Sequence, residues 1–338
     1  MVAVTESMGN WGIIGHEWAV RLLAGSVARG RLSHAYLLLG PPRVGKTALA
    51  LALARAVNCT GEAPPCGACR SCGLITRGTH PDVRVIEGGE ARAIHIDQVR
   101  EVQRQVALSP VEARRRVIIL TDLQGATPEA ANCLLKTLEE PPAHVMLILT
   151  ATQQGRLLPT IVSRCQVLSL RPPAWQDLAT GLQERWGVPP ELAERLARLA
   201  AGRVGWAVQA ARDPSLLEER QALLERIQAV MSADTLGRLA LARDLTAQGD
   251  EGLSALLDFW QDWWRDMLFW RVGRQDLVTN IDQEAALETV VRPYDVPQLV
   301  AGLRALGEAR RRLISNANPR LTLEVLFLTL ERPVHGNG

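Results

Sequence analysis

Short, almost uninterrupted apolar runs punctuate the first half of the chain: Ala35–Leu39, Val83–Ile86, Val117–Leu120, Met146–Leu149 and Val167–Leu170. Each has strand length, and continuous rather than alternating hydrophobicity suits strands covered on both faces of a parallel sheet. Between them lie stretches with helical spacing, such as Ala48–Val57 and Thr127–Leu138. This alternation predicts an α/β layered domain. The strand signals stop at Arg171-Pro172-Pro173, which places a boundary at Pro173. Residues 174–213 read as short helices broken at Gly187-Val188-Pro189-Pro190 and at Ala201-Gly202. Asp213-Pro214 reads as a helix start, with Pro in the first turn. From there to about Leu330 the pattern is amphipathic helix, clearest in 216–230, 256–270, 299–314 and 320–330. The expected division is therefore 1–173, 174–213 and 214–338. No internal repeat or low-complexity segment interrupts it, and the closing His335–Gly338 is expected to lack fixed structure.

Composition changes this picture little. A chain of 338 residues exceeds one compact core, and 47% apolar with 22% charged residues is ordinary for a folded protein. A net charge of +2 gives no field able to draw nucleic acid to the whole surface, so any such contact must come from a local patch or a partner. The first residues lack the basic and apolar regions of a signal peptide, and no apolar run approaches the roughly 18–20 residues of a membrane span. A cytoplasmic protein without membrane contact is expected, in which clustered thiols suggest metal rather than disulfides. The aromatic group Phe259, Trp260, Trp263, Trp264, Phe269 and Trp270 could stack on bases, but its helical spacing among Leu and Met reads as core or subunit interface. The runs Arg114–Arg116 and Arg310–Arg312 read as solvated faces rather than phosphate contacts.

Gly40-Pro41-Pro42-Arg43-Val44-Gly45-Lys46-Thr47 fits G-x-x-x-x-G-K-[ST] between an apolar strand and a helix, the context this motif requires. Backbone amides of such a loop and the helix N-terminus form a cradle for polyphosphate oxygens. Gly40 and Gly45 admit the close backbone approach, Lys46 reaches the terminal phosphates, and the Thr47 hydroxyl suits Mg²⁺. Only two of the 38 basic residues are Lys, so a Lys at position 46 stands out. A chance glycine-rich turn is the alternative.

Cys59, Cys66, Cys69 and Cys72 give C-x6-C-x2-C-x2-C. Four thiolates at that spacing can converge on one tetrahedral ion, which makes structural Zn²⁺ the leading expectation and an iron–sulfur cluster the competitor. A site closed by four cysteines has no open coordination position, so no catalytic role is assigned to it. Cys133, among apolar helix neighbours, reads as core.

Residues 132–142 (NCLLKTLEEPP) and 157–166 (LLPTIVSRCQ) resemble the AAA+ clamp-loader subunits of bacterial DNA polymerase III. So do Ile14-Gly15-His16, the segment Arg31–Leu37, His80-Pro81-Asp82, the inserted cysteines and Asn316–Leu328. The resemblance implies an AAA+ P-loop domain with a parallel five-stranded sheet over 1–173, carrying the zinc module at 59–72. It further implies a small helical lid over 174–213 and an all-helical collar over 214–338. It implies assembly with four other subunits, gamma/tau and delta among them, in a complex that loads the ring clamp on primed DNA. Ser163-Arg164-Cys165 matches the motif whose Arg enters a neighbour's ATP site as an arginine finger, where a planar guanidinium steadies charge on the transferring phosphoryl group. A surface ion-pair residue is the other reading of Arg164. Thr152 falls near the family's sensor position, after the fourth strand.

Two departures separate the chain from a hydrolysing motor. Counting back from KTLEEPP puts Thr121 at the Mg²⁺-side Asp and Asp122 at the water-polarising Glu; a one-residue shift makes Asp122 the metal-side acid but leaves Leu123 as its successor. In the lid, Gly205 or Trp206 holds the slot of a sensor Arg, with Arg203 as a substitute from another turn face. Arg43 also stands where related loops carry Gly. These features favour a non-motor subunit that supplies its finger in trans, with little ATP turnover of its own and ATP/Mg²⁺ binding open. The second reading is a gamma/tau-like motor ATPase, and a third is an unrelated P-loop kinase or adaptor ATPase, for which no residues are arranged as an acceptor pocket.

Overall fold

The computed structural model describes residues 11–88, 93–247, 250–314 and 317–330; the closing His335–Gly338 lies outside them. Five parallel strands are ordered β2-β3-β4-β1-β5: β1 Ala35–Leu39, β2 Val83–Ile86, β3 Arg116–Leu120, β4 Val145–Ala151 and β5 Gln166–Ser169. All five runs expected from the sequence are strands within two residues at each end. Around them run α1 Glu17–Ala28, α2 Lys46–Asn58, α3 Arg70–Thr76, α4 Ile96–Val106, α5 Pro128–Glu139 and the single turn α6 Pro159–Val162.

The period of two in a strand sends neighbouring side chains to opposite faces, and both faces of this sheet are covered. Tyr36, Leu38, Val117, Ile119, Met146 and Ile148 share one core with Leu23 of α1 and Leu49 and Leu53 of α2. Leu37, Ile118, Leu120, Leu147 and Leu149 share the other with Val99 and Val102 of α4 and Leu134 of α5. The doubly covered reading holds for β1, β3 and β4, which are buried throughout. It fails at the edges: Arg84 and Val85 of β2, and Gln166 and Ser169 of β5, face outward. An edge strand is covered less completely than a central one, so its apolar run is not a burial record.

Beyond the sheet follow α7 Trp175–Trp186, α8 Pro190–Leu199, α9 Val204–Ala210, α10 Ser215–Ser232, α11 Thr235–Thr246, α12 Asp250–Arg271, α13 Glu284–Val291, α14 Val296–Ile314 and α15 Pro319–Thr329. The chain forms two compact units, residues 1–187 with 202–206 and residues 188–201 with 207–338. The stretch 174–213 thus contributes α7 and the start of α9 to the first unit and α8 to the second. In the second unit Trp260, Trp263 and Trp264 are almost wholly buried, with Trp260 against Phe327 at 5.1 Å and Trp264 edge-on to Tyr294 at 5.5 Å. The tryptophans are core, as their spacing indicates, and not a stacking platform. A Cβ at Gly302 would lie 2.4 Å from the Trp264 ring, so α14 approaches α12 only because that position is glycine. Buried Arg238 donates to the carbonyls of Phe327 (2.6 Å) and Leu330 (2.7 Å), closing the C-terminus of α15. No described helix is long and apolar enough to cross a membrane.

One polar assembly runs through the first unit. Asp82, 1% exposed, accepts hydrogen bonds from the amides of Val111, Glu112 and Ala113 and from Arg116 Nη2 at 3.0 Å. Arg116 also donates to the carbonyls of Gln105 and Ser109. The arginine run at 114–116 is therefore not one solvated face: Arg116 turns inward and is 7% exposed. In the other run, Arg311 and Arg312 pair locally with Glu308, while Arg310 reaches across from α14 to Asp258 of α12. Burial pushes the Asp82 carboxyl up, but its four donors outweigh that and hold it near a pKa of about 2. A carboxylate depressed on folding adds stability above its unfolded value, lost as pH falls through the folded value. We expect Asp82→Ala to destabilise the unit by roughly 3–5 kcal/mol at neutral pH, because Arg116 is left buried and unpaired. Thermal melts of both proteins should show that gap shrinking between about pH 4 and pH 2. A gap independent of pH would mean that the carboxylate charge is not what matters.

Candidate nucleotide site, metal module and surface arginine

β1 ends at Leu39, between β4 and edge strand β5, and the chain passes through residues 40–45 into α2. A Cβ at Gly40 would sit 2.6 Å from the Leu170 carbonyl oxygen, so the turn beside β5 needs glycine. Arg43 (φ 60°) and Gly45 (φ 108°) adopt left-handed conformations, the kind of local alternation from which backbone amides build an anion cradle. Lys46 is 6% exposed; its ammonium donates to the carbonyls of Gly40 (2.7 Å) and Pro41 (2.9 Å). Two of its three protons are so placed, and the third remains for a phosphate oxygen. Burial pulls the Lys46 pKa down, and the Asp122 carboxylate pushes it back up. Thr47 is exposed at the start of α2. The loop thus fits a polyphosphate.

Two further tethers fix it. His16, 1% exposed, places Nε2 2.9 Å from the Val44 carbonyl, which can only accept, so that nitrogen carries the proton. The Gly205 amide donates to the Arg43 carbonyl at 3.1 Å. The sequence marks Gly205 only as a missing arginine; its contribution is a backbone contact, which no residue type advertises.

At the ends of β3 and β4 the structure brings the sensor and acid positions together. The Asp122 amide donates to Thr150 Oγ1 at 3.0 Å, Gln124 Nε2 reaches Asp122 Oδ1 at 3.5 Å, and the Thr152 amide donates to Gln124 Oε1 at 3.2 Å. Asp122 is held left-handed, with φ 46°. Thr121 is 7% exposed: its amide donates to the Ile86 carbonyl at 2.9 Å, and Gly88 N–H lies 3.2 Å from its hydroxyl. Gly40, Gly45, Lys46, Thr47 and Thr152 thus lie along the C-terminal edge of the sheet, where open α/β sheets bind ligands.

Arg164 stands elsewhere, just past α6. Its guanidinium is one-third exposed and pairs with Glu139 at 2.7 Å, with further bonds to the Thr160 carbonyl and Ser163 Oγ. None of these partners belongs to the chain's own phosphate loop. Glu139 lies inside KTLEEPP, so the two signature motifs touch through one ion pair.

Cys59 caps the end of α2 and Cys69 the start of α3. The four sulfurs of Cys59, Cys66, Cys69 and Cys72 lie within 4.8 Å of one another. Four ligands at about 2.3 Å from one ion stand about 3.8 Å apart in a tetrahedron, so a small contraction completes the shell. The amides of Gly61 and Cys66 donate to Cys59 Sγ, that of Cys69 to Cys66 Sγ and that of Cys72 to Cys69 Sγ, which suits sulfurs bearing negative charge. Burial pushes the Cys72 thiol up to about 12, so four thiols this close do not all ionise without a cation among them. The donor set fits one metal ion. Cys133 contacts Gln103 and packs beside the α4–α5 core, as expected.

Known proteins resemble this chain in sequence and fold. The chain matches the family described as DNA polymerase III, delta subunit, over residues 15–174, and the one described as DNA polymerase III, delta subunit, C terminal, over residues 214–332. It is 33% identical to the DNA polymerase III subunit delta' of Pseudomonas aeruginosa, covering 93% of this chain and 96% of that protein. The corresponding subunit of Bacillus subtilis is 30% identical, with 92% and 95% covered. A crystal structure of a DNA polymerase III gamma subunit-related protein from Thermotoga maritima superimposes with a TM-score of 0.51 at 20% identity, over 92% of this chain and 99% of that one, which shows a shared fold. Gamma and tau subunits match only part of the chain; the Escherichia coli tau subunit is 34% identical over 56% of it. Relatives aligned from end to end, on an AAA+ sheet followed by a helical C-terminal unit, place the chain in the DNA polymerase III delta' subunit family.

Proposed function

We propose that this subunit serves the clamp loader by giving Arg164 to the nucleotide site of an adjacent subunit while hydrolysing nothing itself. The observation that carries the reading is a contrast. A guanidinium stands at the surface, paired with Glu139 of the KTLEEPP motif, while the position of the metal-side carboxylate is held by Thr121. An exposed ion pair is worth about 0–1 kcal/mol, so Glu139 releases Arg164 readily to a phosphate. The partners in this reading are the gamma/tau and delta subunits, with the ring clamp and primed DNA reached through the complex in the cytoplasm. Residues 174–213 act as the lid and 214–338 as the collar.

Gly40, Gly45, Lys46 and Thr47, with Thr152 at the edge, hold a nucleotide that is retained rather than consumed. Zn²⁺ is the ion for Cys59, Cys66, Cys69 and Cys72, as a closed structural site. The isolated subunit should turn over ATP more slowly than about 0.1 s⁻¹, far below ordinary enzyme rates. A faster rate that disappears in Lys46→Ala would establish a motor instead. In the reconstituted loader, Arg164→Ala should assemble normally and load clamps poorly.

A further inference from the structure

Two successive carbonyls in the phosphate loop are fastened from outside it. The Arg43 carbonyl accepts the Gly205 amide at 3.1 Å, and the Val44 carbonyl accepts the ring Nε2–H of His16 at 2.9 Å. In a trans peptide the C=O and the N–H of the following residue point in opposite directions. Holding the first carbonyl on Gly205 therefore aims the Val44 amide away from Gly205. Holding the second on His16 aims the Gly45 amide away from His16. Neither amide has an acceptor among the described residues. Val44 is 1% exposed, and a buried N–H without an acceptor is rare in a folded protein. Donors aimed and left open in this way suit an anion.

His16 itself has little freedom. Its carbonyl accepts the amides of Ala19 and Val20 at the start of α1, each at 3.0 Å, and Ala19, Val20 and Leu23 lock α1 to the sheet. Before the ring, a Cβ at Gly15 would lie 2.2 Å from Pro173 Cβ, so that stretch is tightly packed. The ring lies against Gly45, where an added Cβ would stand 3.8 Å from its Cδ2 and Nε2. Being 1% exposed, it acts on a ligand only through the loop.

We propose that His16 is a positioning residue for the phosphate cradle. Through the Val44 carbonyl its Nε2–H sets the direction of the Gly45 amide, and with it the affinity of the loop for a polyphosphate. The inference deepens the nucleotide-binding reading above and rests on it. A neutral imidazole with its proton on Nε2 is enough to supply the donor. Without that donor the Val44–Gly45 peptide is free to turn, since glycine at its far end tolerates many conformations. The amide then has to be ordered when the phosphate arrives, which weakens binding.

Three substitutions separate the donor from the ring. His16→Phe keeps the ring's bulk and loses the donor. His16→Asn keeps a polar amide, but its nitrogen reaches only the place of Nδ1. His16→Gln puts an amide nitrogen near the place of Nε2 and restores the donor. The full-length proteins are titrated against a fluorescently labelled ADP by anisotropy in Mg²⁺ buffer. Inorganic pyrophosphate then competes with the label, because it reads the cradle without the base. Thermal melts confirm folding.

His16→Phe and His16→Asn should each bind labelled ADP about tenfold more weakly than the wild type, and His16→Gln within about threefold of it. Pyrophosphate should lose affinity by the same factor in each variant. If His16→Phe does not fold, the contrast between His16→Asn and His16→Gln decides. Wild-type affinity in the folded variants without a donor overturns the positioning role, and so does a folded His16→Gln as weak as His16→Asn. A loss confined to ADP, with pyrophosphate unaffected, overturns it as well by moving the effect to the base; all three results leave nucleotide binding intact. A wild type that binds no better than Lys46→Ala overturns the nucleotide reading and this inference with it.

Discussion

Under the role proposed for it, replacing Arg164 with Ala should lower ATP turnover at the adjacent subunit's nucleotide site by about 10³-fold, with assembly of the loader unchanged. The size follows from what the group does. A guanidinium placed on a transferring phosphoryl group acts in a low-dielectric, water-poor interface, where each donor is worth far more than at a free surface. In the free subunit the same group is tied, among the described residues, to Glu139, Thr160 and Ser163 on its own surface, so its loss leaves the fold intact. Arg164→Lys should recover little, because a point charge on a flexible stem lacks the planar fork. Glu139→Gln should stay near the wild-type rate, since an exposed partner in the free subunit contributes little. The measurement is single-turnover hydrolysis and clamp loading by the reconstituted complex. Normal loading by Arg164→Ala would reduce this residue to a surface ion pair.

The strands and helices of the first unit are legible because hydrophobic runs of strand length record burial on both faces, and β1, β3 and β4 are so buried. The phosphate loop and the cysteine set are legible for a similar reason: each is a local pattern whose spacing is its geometry. What the sequence hides depends on partners far along the chain. Arg116 looks like one of three surface arginines until Asp82, 34 positions away, draws it inward. His80-Pro81-Asp82 serves as a family mark in the sequence, while in the structure its Asp anchors the 111–113 turn. Glu139 as the partner of Arg164 is another pairing across 25 positions. His16 on the Val44 carbonyl and Gly205 on the Arg43 carbonyl involve backbone acceptors, and the acceptor's side chain carries no signal for either. The division of 174–213 between two compact units is likewise a matter of packing, which breaks in helical pattern do not encode.

Removing the metal from the cysteine module should unravel residues 59–77 and leave nucleotide affinity unchanged. Cys59 and Cys72 are 1% and 0% exposed, so once the ion is gone two thiols stay buried around an empty centre while the loop between them loses the cross-link the ion makes. Metal supplies roughly 10–16 kcal/mol in isolated zinc fingers, and among residues 59–77 it is Ile75 of α3 that joins the sheet's core. The damage should stay local because α2 is held independently: Leu49, Leu53 and Val57 pack into the sheet's own core. The loop's Lys46 and the module's Cys59 sit at opposite ends of that 13-residue helix, roughly 20 Å apart along its axis. At that separation a screened ion has almost no hold on a phosphate. Cys72→Ser should therefore lose one equivalent of bound zinc by atomic absorption, and its amides at 59–77 should exchange about 10²-fold faster while those of the phosphate loop keep their rates. Faster exchange in the loop as well would mean that the ion supports the nucleotide site through α2. Iron and visible absorbance in the purified wild type would identify a cluster in place of a single ion.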